Sequence, residues 1–178
     1  MRIVAGRWGG RRLTTPKGLA TRPTSDRVRE ALFSILGDFV QDARVLDLFA
    51  GSGALGLEAL SRGAASATFV DSAPAAVAAV KANLEALGGD AEVRRGDALR
   101  FLRAAPGETR HYDLVLLDPP YRQAERLGRE LSAALPAVLA PAALVVSESD
   151  RRAPLPLDLS LRDERRYGDT LIRIHESR

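Results

Sequence analysis

Residues 45–56 read VLDLFAGSGALG, and this stretch decides the fold. A short apolar run reaches Asp47 and then breaks into a loop in which Gly51, Gly53 and Gly56 fit the pattern G-x-G-x-x-G. An Ala- and Leu-rich segment follows, so the pattern predicts a strand, a tight turn and a helix whose first N–H groups face a ligand. Because dinucleotide-binding folds use the same spacing, the glycines predict a nucleotide-type pocket and leave its ligand open.

The composition is typical of one soluble globular domain. The chain has 178 residues, 46% of them hydrophobic and 28% charged, which is enough for a full core and too few for two ordinary domains. No apolar run approaches the roughly 18 residues of a membrane span, and no apolar signal segment follows Arg2, so we expect a cytoplasmic protein. Cysteine is absent, which excludes disulfides, and His111 and His175 lack metal-ligand spacing, so we expect no metal site.

Charge is unevenly distributed along the chain. The net charge is +3, yet residues 1–30 carry +6 and the remainder carries −3. Short β segments at 2–5 and 11–14 predict a basic hairpin arm (residues 1–23) on the core (24–178) of a single domain. Such an arm is typical of proteins that bind a polyanion, although a solvated Arg-rich surface is the alternative. The candidates for phosphate contact are Arg7, Arg11, Arg12 and Arg22; Trp8 is a candidate for base stacking or, alternatively, for the core.

Strands and helices alternate through the rest of the chain. A helix begins after Thr24 or Ser25, and its apolar positions are Val28, Leu32, Ile35, Leu36 and Phe39. Apolar runs predict strands at 45–49, 67–71, 91–95, 113–118 and 143–147, with helices from 54, 74 and 98 and across 123–139. This alternation predicts an α/β fold with a doubly wound, mostly parallel sheet. Residues 159–166 and 170–176 form a hairpin, so the sheet should end with an antiparallel strand.

Four carboxylates follow the predicted parallel strands: Asp47, Asp71, Asp97 and Asp118. In an open parallel sheet, ligands bind beyond the carboxyl ends of the strands. Asp71 follows Gly51 by 20 residues, where an acid holds ribose hydroxyls in either kind of nucleotide pocket. A pyrophosphate beside Asp47 would be repelled, whereas the ammonium and sulfonium of S-adenosylmethionine would be attracted, so the acids favour that cofactor. The alternative is that these acids only cap strand ends and turns.

The tetrapeptide Asp118-Pro119-Pro120-Tyr121 is the most specific signal. Two prolines remove backbone donors and leave carbonyl oxygens available as acceptors. An exocyclic amino group is a poor nucleophile because its lone pair is delocalised into the base. If Asp118 and the Pro119 carbonyl each accept one N–H, the lone pair is directed at a methyl carbon, and Tyr121 can stack on the base. The alternative is a turn that merely ends a strand.

These motifs resemble those of a known family. LDLFAGSGALGLEAL at 46–60, the acid at 71, GDA at 96–98 and LDPPY at 117–121 are similar to Rossmann-like methyltransferases that modify exocyclic amino groups of nucleic acids. RIVAGRWGGRRL at 2–13 and RPTSDRVREALFSIL at 22–36 narrow the resemblance to the bacterial 16S ribosomal RNA guanine-N2 methyltransferases, whose target is guanine 966. The resemblance covers nearly the whole chain.

The resemblance implies S-adenosylmethionine as cofactor and 16S ribosomal RNA as partner, in the small subunit or its assembly intermediates. The resemblance also implies that residues 118–121 hold the target guanine. One departure is the stretch 103–110, rich in Arg, Pro and Gly, which suggests a longer loop before the fourth strand. The residues that would contact the cofactor are Asp47, Phe49, Ala50, Gly51, Ser52, Gly53, Asp71, Ser72, Asp97 and Ala98.

Three other functions compete with this one. An adenine-N6 DNA methyltransferase would carry a separate target-recognition region, for which this chain has no room. An NAD-dependent oxidoreductase is disfavoured by Asp47. A ribosome-assembly factor that binds RNA without turnover is the non-enzymatic alternative, and the intact Asp-Pro-Pro-Tyr argues against it, because binding alone requires no carboxylate against the base.

Overall fold

The computed structural model describes residues 1–16, 25–104, 111–119 and 124–177. Within them, a seven-stranded sheet is flanked by helices on both faces, as the sequence predicted. No helix in these ranges is both long and apolar enough to cross a membrane. The helices are α1 (Asp26–Leu36), α2 (Ala54–Ser61), α3 (Pro74–Leu87), α4 (Ala98–Ala104) and α5 (Ala124–Ala134). The strands are β1 (Arg44–Leu48), β2 (Ser66–Asp71), β3 (Glu92–Arg95), β4 (Tyr112–Leu117), β5 (Leu139–Asp150), β6 (Ser160–Tyr167) and β7 (Thr170–Glu176).

The strand order is β3-β2-β1-β4-β5-β7-β6. Strands β1 to β5 are parallel, while β7 is antiparallel to both β5 and β6. The predicted α/β fold with an antiparallel C-terminal strand is therefore confirmed. Because β1 lies between β2 and β4, the strand order reverses beside it, and such a switch point is where open α/β sheets bind ligands. We call the edge where β1–β5 end the carboxyl edge, and the opposite one the amino edge.

Each face of the sheet carries its own hydrophobic core. Successive side chains of a strand point to opposite faces, so Val45 and Leu46 of β1 enter different clusters. One cluster joins the sheet to α1, α2, α3 and the N-terminal segment. The other joins it to α4 and α5 through Leu102 and Leu131. We call these the α2 face and the α5 face.

Helix α1 begins where the sequence predicted, but its buried stripe differs. The Ser25 side chain accepts a hydrogen bond from the Val28 N–H at 3.3 Å, which caps the helix; Thr24, the other candidate cap, lies outside the described residues. Ile35, expected on the buried face, is 37% exposed, and Phe33 is buried instead. The buried stripe is therefore rotated from the predicted one.

The region before β5 also departs from the prediction. A helix was expected to run to residue 139, but α5 ends at Ala134 and a single 3₁₀ turn, Leu135–Ala137, follows. Pro136 explains this end, because proline lacks the N–H that the next helical turn needs. The chain after this turn enters β5 at Leu139, so β5 has 12 residues instead of the five expected.

The N-terminal hairpin is less regular than predicted. Instead of two β segments, the structure has one isolated bridge, between Arg2 and Arg12. The Ile3 N–H donates to the Arg11 carbonyl at 2.9 Å, and the chain turns between them. Ile3 and Leu13 are buried in the α2-face core. The segment is thus held by side-chain packing more than by a strand ladder.

Candidate active site

The glycine loop after β1 is shaped by three glycines with different roles. Gly53 has a φ of 79° and lies against Val80, and a Cβ on Gly56 would stand 2.4 Å from the ring of Phe69. Both positions therefore require glycine for internal packing. Gly51 has a φ of 57°, and a Cβ there would meet no atom closer than 4.0 Å. The backbone at Gly51 consequently faces open space and can approach a ligand.

Asp71, at the end of β2, ties two loops together. Its carboxylate accepts hydrogen bonds from the Gly51 N–H at 2.9 Å and from the Ala73 N–H at 2.8 Å. Its backbone carbonyl accepts from the Gly96 N–H at 2.9 Å. Asp71 remains partly exposed, and Ser72 beside it is exposed. The carboxylate thus fixes the loop and keeps lone pairs for a ligand.

Asp47 lies beneath the loop, not on its surface. It is 1% exposed, and its carboxylate accepts a hydrogen bond from the Gly56 N–H, in the first turn of α2, at 2.9 Å. Burial raises the pKa of Asp47 to about 8; the Gly56 N–H opposes this and the charge of Asp71 adds to it. The structure therefore corrects the expected direct contact with a cofactor, because Asp47 supports the loop from below.

The remaining candidate residues for cofactor binding surround this loop. Asp97 is exposed and its side chain accepts a hydrogen bond from the Arg100 N–H at 2.9 Å, which caps α4. Phe49 is partly exposed and has a φ of 63°. Ala50 and Ser52 are buried in the loop, and Ala98, the first residue of α4, is buried in the α5-face core.

Asp118 follows β4 directly and stands beside the glycine loop. Leu117 is paired with Leu48 of β1, so Asp118 and Phe49 leave neighbouring strands side by side. Pro119 is buried, while Pro120 and Tyr121 lie outside the described residues. Burial, together with the nearby charges of Glu148 and Asp47, raises the pKa of Asp118 well above its ordinary value. The structure thus brings Gly51, Asp71, Asp97 and Asp118 to one edge of the sheet.

Glu148 of β5 is a neighbour that the sequence interpretation missed. It is 4% exposed and lies near the carboxyl end of β5, between the buried Ser147 and Ser149. The signal available in the sequence was an acid just after an apolar run, in VVSES at residues 145–149.

The basic turn of the N-terminal segment lies at the amino edge. The Arg7 N–H donates to the carbonyl of Ser61, the last residue of α2, and Arg11 donates to the Ala86 carbonyl near the end of α3. The glycine loop lies at the opposite ends of these helices. Between the loop and Ser61 the eight residues of α2 span about 12 Å, and the 14 residues of α3 span about 21 Å. Arg7, Arg11 and Arg12 are exposed, whereas Arg22 lies outside the described residues.

Trp8 is a core residue in this structure. It is 8% exposed, the guanidinium of Arg7 lies 4.1 Å from the centre of its ring, and its indole contacts Gly89. The expectation that Trp8 stacks on a base is therefore corrected, since its ring is covered by the protein itself. The alternative, that Trp8 fills the core, is the one observed.

Buried polar side chains hold the segment in place. The Glu58 carboxylate of α2 accepts hydrogen bonds from the N–H groups of Val4 at 2.7 Å and Ala5 at 3.0 Å. Asn83 of α3 accepts from the Thr14 N–H at 2.7 Å and donates to the Ser52 carbonyl at 2.9 Å. Glu58 therefore anchors the chain before the turn, and Asn83 connects the chain after the turn to the glycine loop.

Comparisons with known proteins agree with this architecture. The model of a family described as Conserved hypothetical protein 95 matches residues 1–176. Ribosomal RNA small subunit methyltransferase D of Escherichia coli is 48% identical over 124 residues, which are 69% of this chain and 61% of that protein. The protein of the same name from Haemophilus influenzae is 37% identical over 187 residues, which cover 99% and 94%.

A solved structure extends the agreement to three dimensions. A hypothetical protein of Thermus thermophilus shares 32% identity with this chain and has a TM-score of 0.85, with 99% of each chain covered. The family model and the Haemophilus relative both span almost the whole sequence. The chain therefore belongs to the family described as Conserved hypothetical protein 95, that of ribosomal RNA small subunit methyltransferase D, as the motifs predicted.

Proposed function

We propose that this protein transfers a methyl group from S-adenosylmethionine to the exocyclic N2 amino group of a guanine in 16S ribosomal RNA, at position 966. One observation carries the proposal: Asp118-Pro119 stands directly beside the glycine loop, because β4 and β1 are paired through Leu117 and Leu48. A base held at Asp118 would meet a cofactor held at Gly51. The names of the relatives from Escherichia coli and Haemophilus influenzae support the same substrate class.

The donor groups of the loop fit the cofactor. The open backbone at Gly51 is a cradle that a side chain would fill, and the N-terminus of α2, where Asp47 holds the Gly56 N–H, lies just beyond it. Asp71 would accept the ribose hydroxyls, and Asp97 would lie near the base of the nucleoside. S-adenosylmethionine, when bound, supplies the electrophilic methyl group. Its cationic groups suit a loop lined by carboxylates, whereas a pyrophosphate would be repelled.

Asp118 and Pro119 would hold the guanine. The Asp118 carboxylate and the Pro119 carbonyl each accept one N–H of the amino group, so that its lone pair points at the methyl carbon. As the new N–C bond forms, N2 gains positive charge and the carboxylate becomes its counter-ion. An interaction that strengthens in this way raises the rate and not only the affinity. We assign Tyr121 to stacking on the base and Pro120 to stiffening the turn.

The RNA surface would extend beyond the base pocket. Arg7, Arg11 and Arg12 are exposed at the amino edge, and Arg22 belongs to the same basic arm. An RNA that contacts both Asp118 and this turn must reach along the lengths of α2 and α3, about 12 and 21 Å, which a structured rRNA element can do. We therefore propose the small ribosomal subunit or an assembly intermediate as the substrate, and the cytoplasm as the place of the reaction.

One experiment separates the proposal from its alternatives. Small subunits that lack the modification are incubated with the protein and S-adenosylmethionine labelled in its methyl group, and the labelled nucleotide is mapped. We expect label on N2 of one guanine of 16S rRNA. Label on an adenine would favour an adenine-N6 methyltransferase. Tight binding of subunits without any label would favour an assembly factor that binds RNA without turnover.

A further inference from the structure

Two acids from neighbouring strands share one face of the sheet at the proposed reaction centre. Strands β4 and β5 are parallel and Leu117 is paired with Ser147, so the next pair in register is Asp118 and Glu148. Leu116 and Val146, two residues before them, both lie in the α2-face core. Because side chains alternate along a strand, Asp118 and Glu148 point to that same face, with their strands about 5 Å apart.

Within the part of the chain that the structure describes, the charges that act on Asp118 are acidic. Asp47, from β1 on the other side of Asp118, belongs to the same face, because its carboxylate bonds to α2 and Val45 lies in the α2-face core; the charge of Asp71 acts on Asp47 in turn. Strand β7 places Ile172 in register with Glu148, so it brings an apolar side chain. Among the described residues, the charges that act on Asp118 most strongly are therefore those of Glu148 and Asp47.

We propose that Glu148 is a positioning residue that acts through Asp118: its carboxylate, adjacent in the sheet and on the same face, makes Asp118 the acceptor of the proton that guanine N2 releases on methylation. The inference rests on the proposed function. In the reaction, the N2 lone pair forms the bond to the methyl carbon while the carbon–sulfur bond breaks and leaves its electrons on sulfur. The cationic N2 then gives one proton to the Asp118 carboxylate.

The physical reason is the interaction of like charges at short range. Two carboxylates in one partly buried site disfavour a second negative charge, so the pKa of Asp118 rises and its ionised form becomes a stronger base. A carboxylate with a higher pKa is a stronger hydrogen-bond acceptor for the amino group as positive charge develops on N2 in the transition state, and it takes the proton once the N–C bond has formed. The raised pKa has a second effect. When the solution is acidified, the rate of methyl transfer begins to fall at a higher pH, because Asp118 must be ionised to accept the proton. Removing the charge of Glu148 reverses both effects.

The test is the pH profile of single-turnover methylation of small subunits at saturating S-adenosylmethionine. In Glu148→Gln, the acidic limb of the pH–rate profile should move to lower pH by on the order of two units, as expected for like charges on strands about 5 Å apart at an effective dielectric constant near 20. The plateau rate should fall by about two- to tenfold. Glu148→Asp keeps the negative charge, so its acidic limb should lie at the same pH as that of the wild-type protein.

The matched control is Glu176→Gln, the same change on β7 at the amino edge, where Glu176 is paired with Leu144. This variant should leave both the acidic limb and the plateau rate of the pH–rate profile unchanged. An equal loss at every pH in Glu148→Gln, with an unmoved limb, would show a structural role only and overturn the inference. Thermal melting and cofactor titration establish that each variant is folded. If the wild-type protein itself labels no RNA, the proposed function fails; if it does and the limb stays in place, only the role of Glu148 fails.

Discussion

The carboxylate of Asp71 accepts a hydrogen bond from the backbone N–H of Gly51 at 2.9 Å, across 20 residues of chain. The spacing of 20 residues between Gly51 and Asp71 suggested a ribose acceptor. In the structure the same two residues also form a hydrogen bond that shapes the pocket. Asp71 has two roles in our proposal: it shapes the loop, and it offers its remaining lone pairs to the cofactor.

Asp71→Ala should weaken S-adenosylmethionine binding by roughly 1–3 kcal/mol or more, because it removes the ribose acceptor and releases Gly51. Isothermal titration calorimetry measures this loss. Asp90→Ala, the same change at an exposed aspartate before β3 at the amino edge, is the control and should bind within a few tenths of a kcal/mol of wild type. Tighter binding of NAD than of S-adenosylmethionine by the wild-type protein would contradict the cofactor assignment.

Asp47 should make the protein less stable as pH rises. Its pKa is about 8 in the folded state against 3.8 as the ordinary value, so between these values the folded state binds more protons than the unfolded state. The free energy of unfolding then decreases with pH across this window. Asp47→Asn keeps an oxygen acceptor for the Gly56 N–H and carries no charge, so it should lose less stability between pH 6 and pH 9. Urea unfolding at both pH values tests this, with the exposed Asp42→Asn as control.

His175 should make the protein less stable in acid. Burial and the charge of Arg173 lower its pKa below the ordinary 6.5, while a hydrogen bond with Val145 opposes this. Below about pH 6.5 the unfolded state takes up the proton first, so the free energy of unfolding decreases as the pH is lowered. In His175→Gln the fall in melting temperature between pH 7.5 and pH 5.5 should be smaller than in wild type. His111→Gln, at an exposed histidine, should behave like wild type.

The basic arm should contribute to RNA affinity and not to cofactor affinity. If Arg7, Arg11, Arg12 and Arg22 neutralise phosphates, replacing them with Ala should make the slope of log K against log salt shallower. The expected change is about 0.9 for each phosphate that an arginine no longer neutralises, if the RNA element is a duplex that behaves like B-DNA. Filter binding of small subunits at several salt concentrations measures this slope.

Three exposed arginines elsewhere, Arg126, Arg129 and Arg152, provide a charge-matched control for three of the four changes in the arm. Their replacement with Ala should leave the salt dependence close to that of wild type. Normal binding and methylation by the fourfold variant of the arm would mean that the arm is only a solvated surface.

Asp118→Ala should abolish most methyl transfer while folding and cofactor binding remain. Asp118→Asn keeps one oxygen acceptor without the charge, so it should retain more activity than Ala. Single-turnover rates on small subunits distinguish the two. A wild-type rate for Asp118→Ala would remove Asp118 from the reaction.

Tyr121 should act through its ring. Tyr121→Phe keeps the aromatic surface and should be mild, whereas Tyr121→Ala should be severe, since stacking on a base contributes roughly 1–3 kcal/mol. The same single-turnover assay applies. Equal losses in the two variants would mean that stacking is not what Tyr121 supplies.

The sequence by itself determined the parallel sheet, the antiparallel end and the glycine loop. These depend on local signals: apolar runs of strand length, proline at the start of α3, and Gly88 in the left-handed conformation at its end. It also located Asp71 and Asp118 at strand ends, because the carboxyl ends of parallel strands meet at one edge. The motifs and their spacing were also sufficient to predict the family.

Only the tertiary structure decided where the other residues act. Trp8 is buried because Ser61 and Gly89, more than 50 residues away, close around it, and no local pattern contains those contacts. Asp47 lies below the loop because α2 folds back over β1. Glu148 meets Asp118 through the register of β4 and β5, which a sequence cannot specify when both strands are buried on both faces and show no alternation. Such positions depend on long-range packing, and the charges brought together by it set the proton affinities on which the proposed chemistry depends.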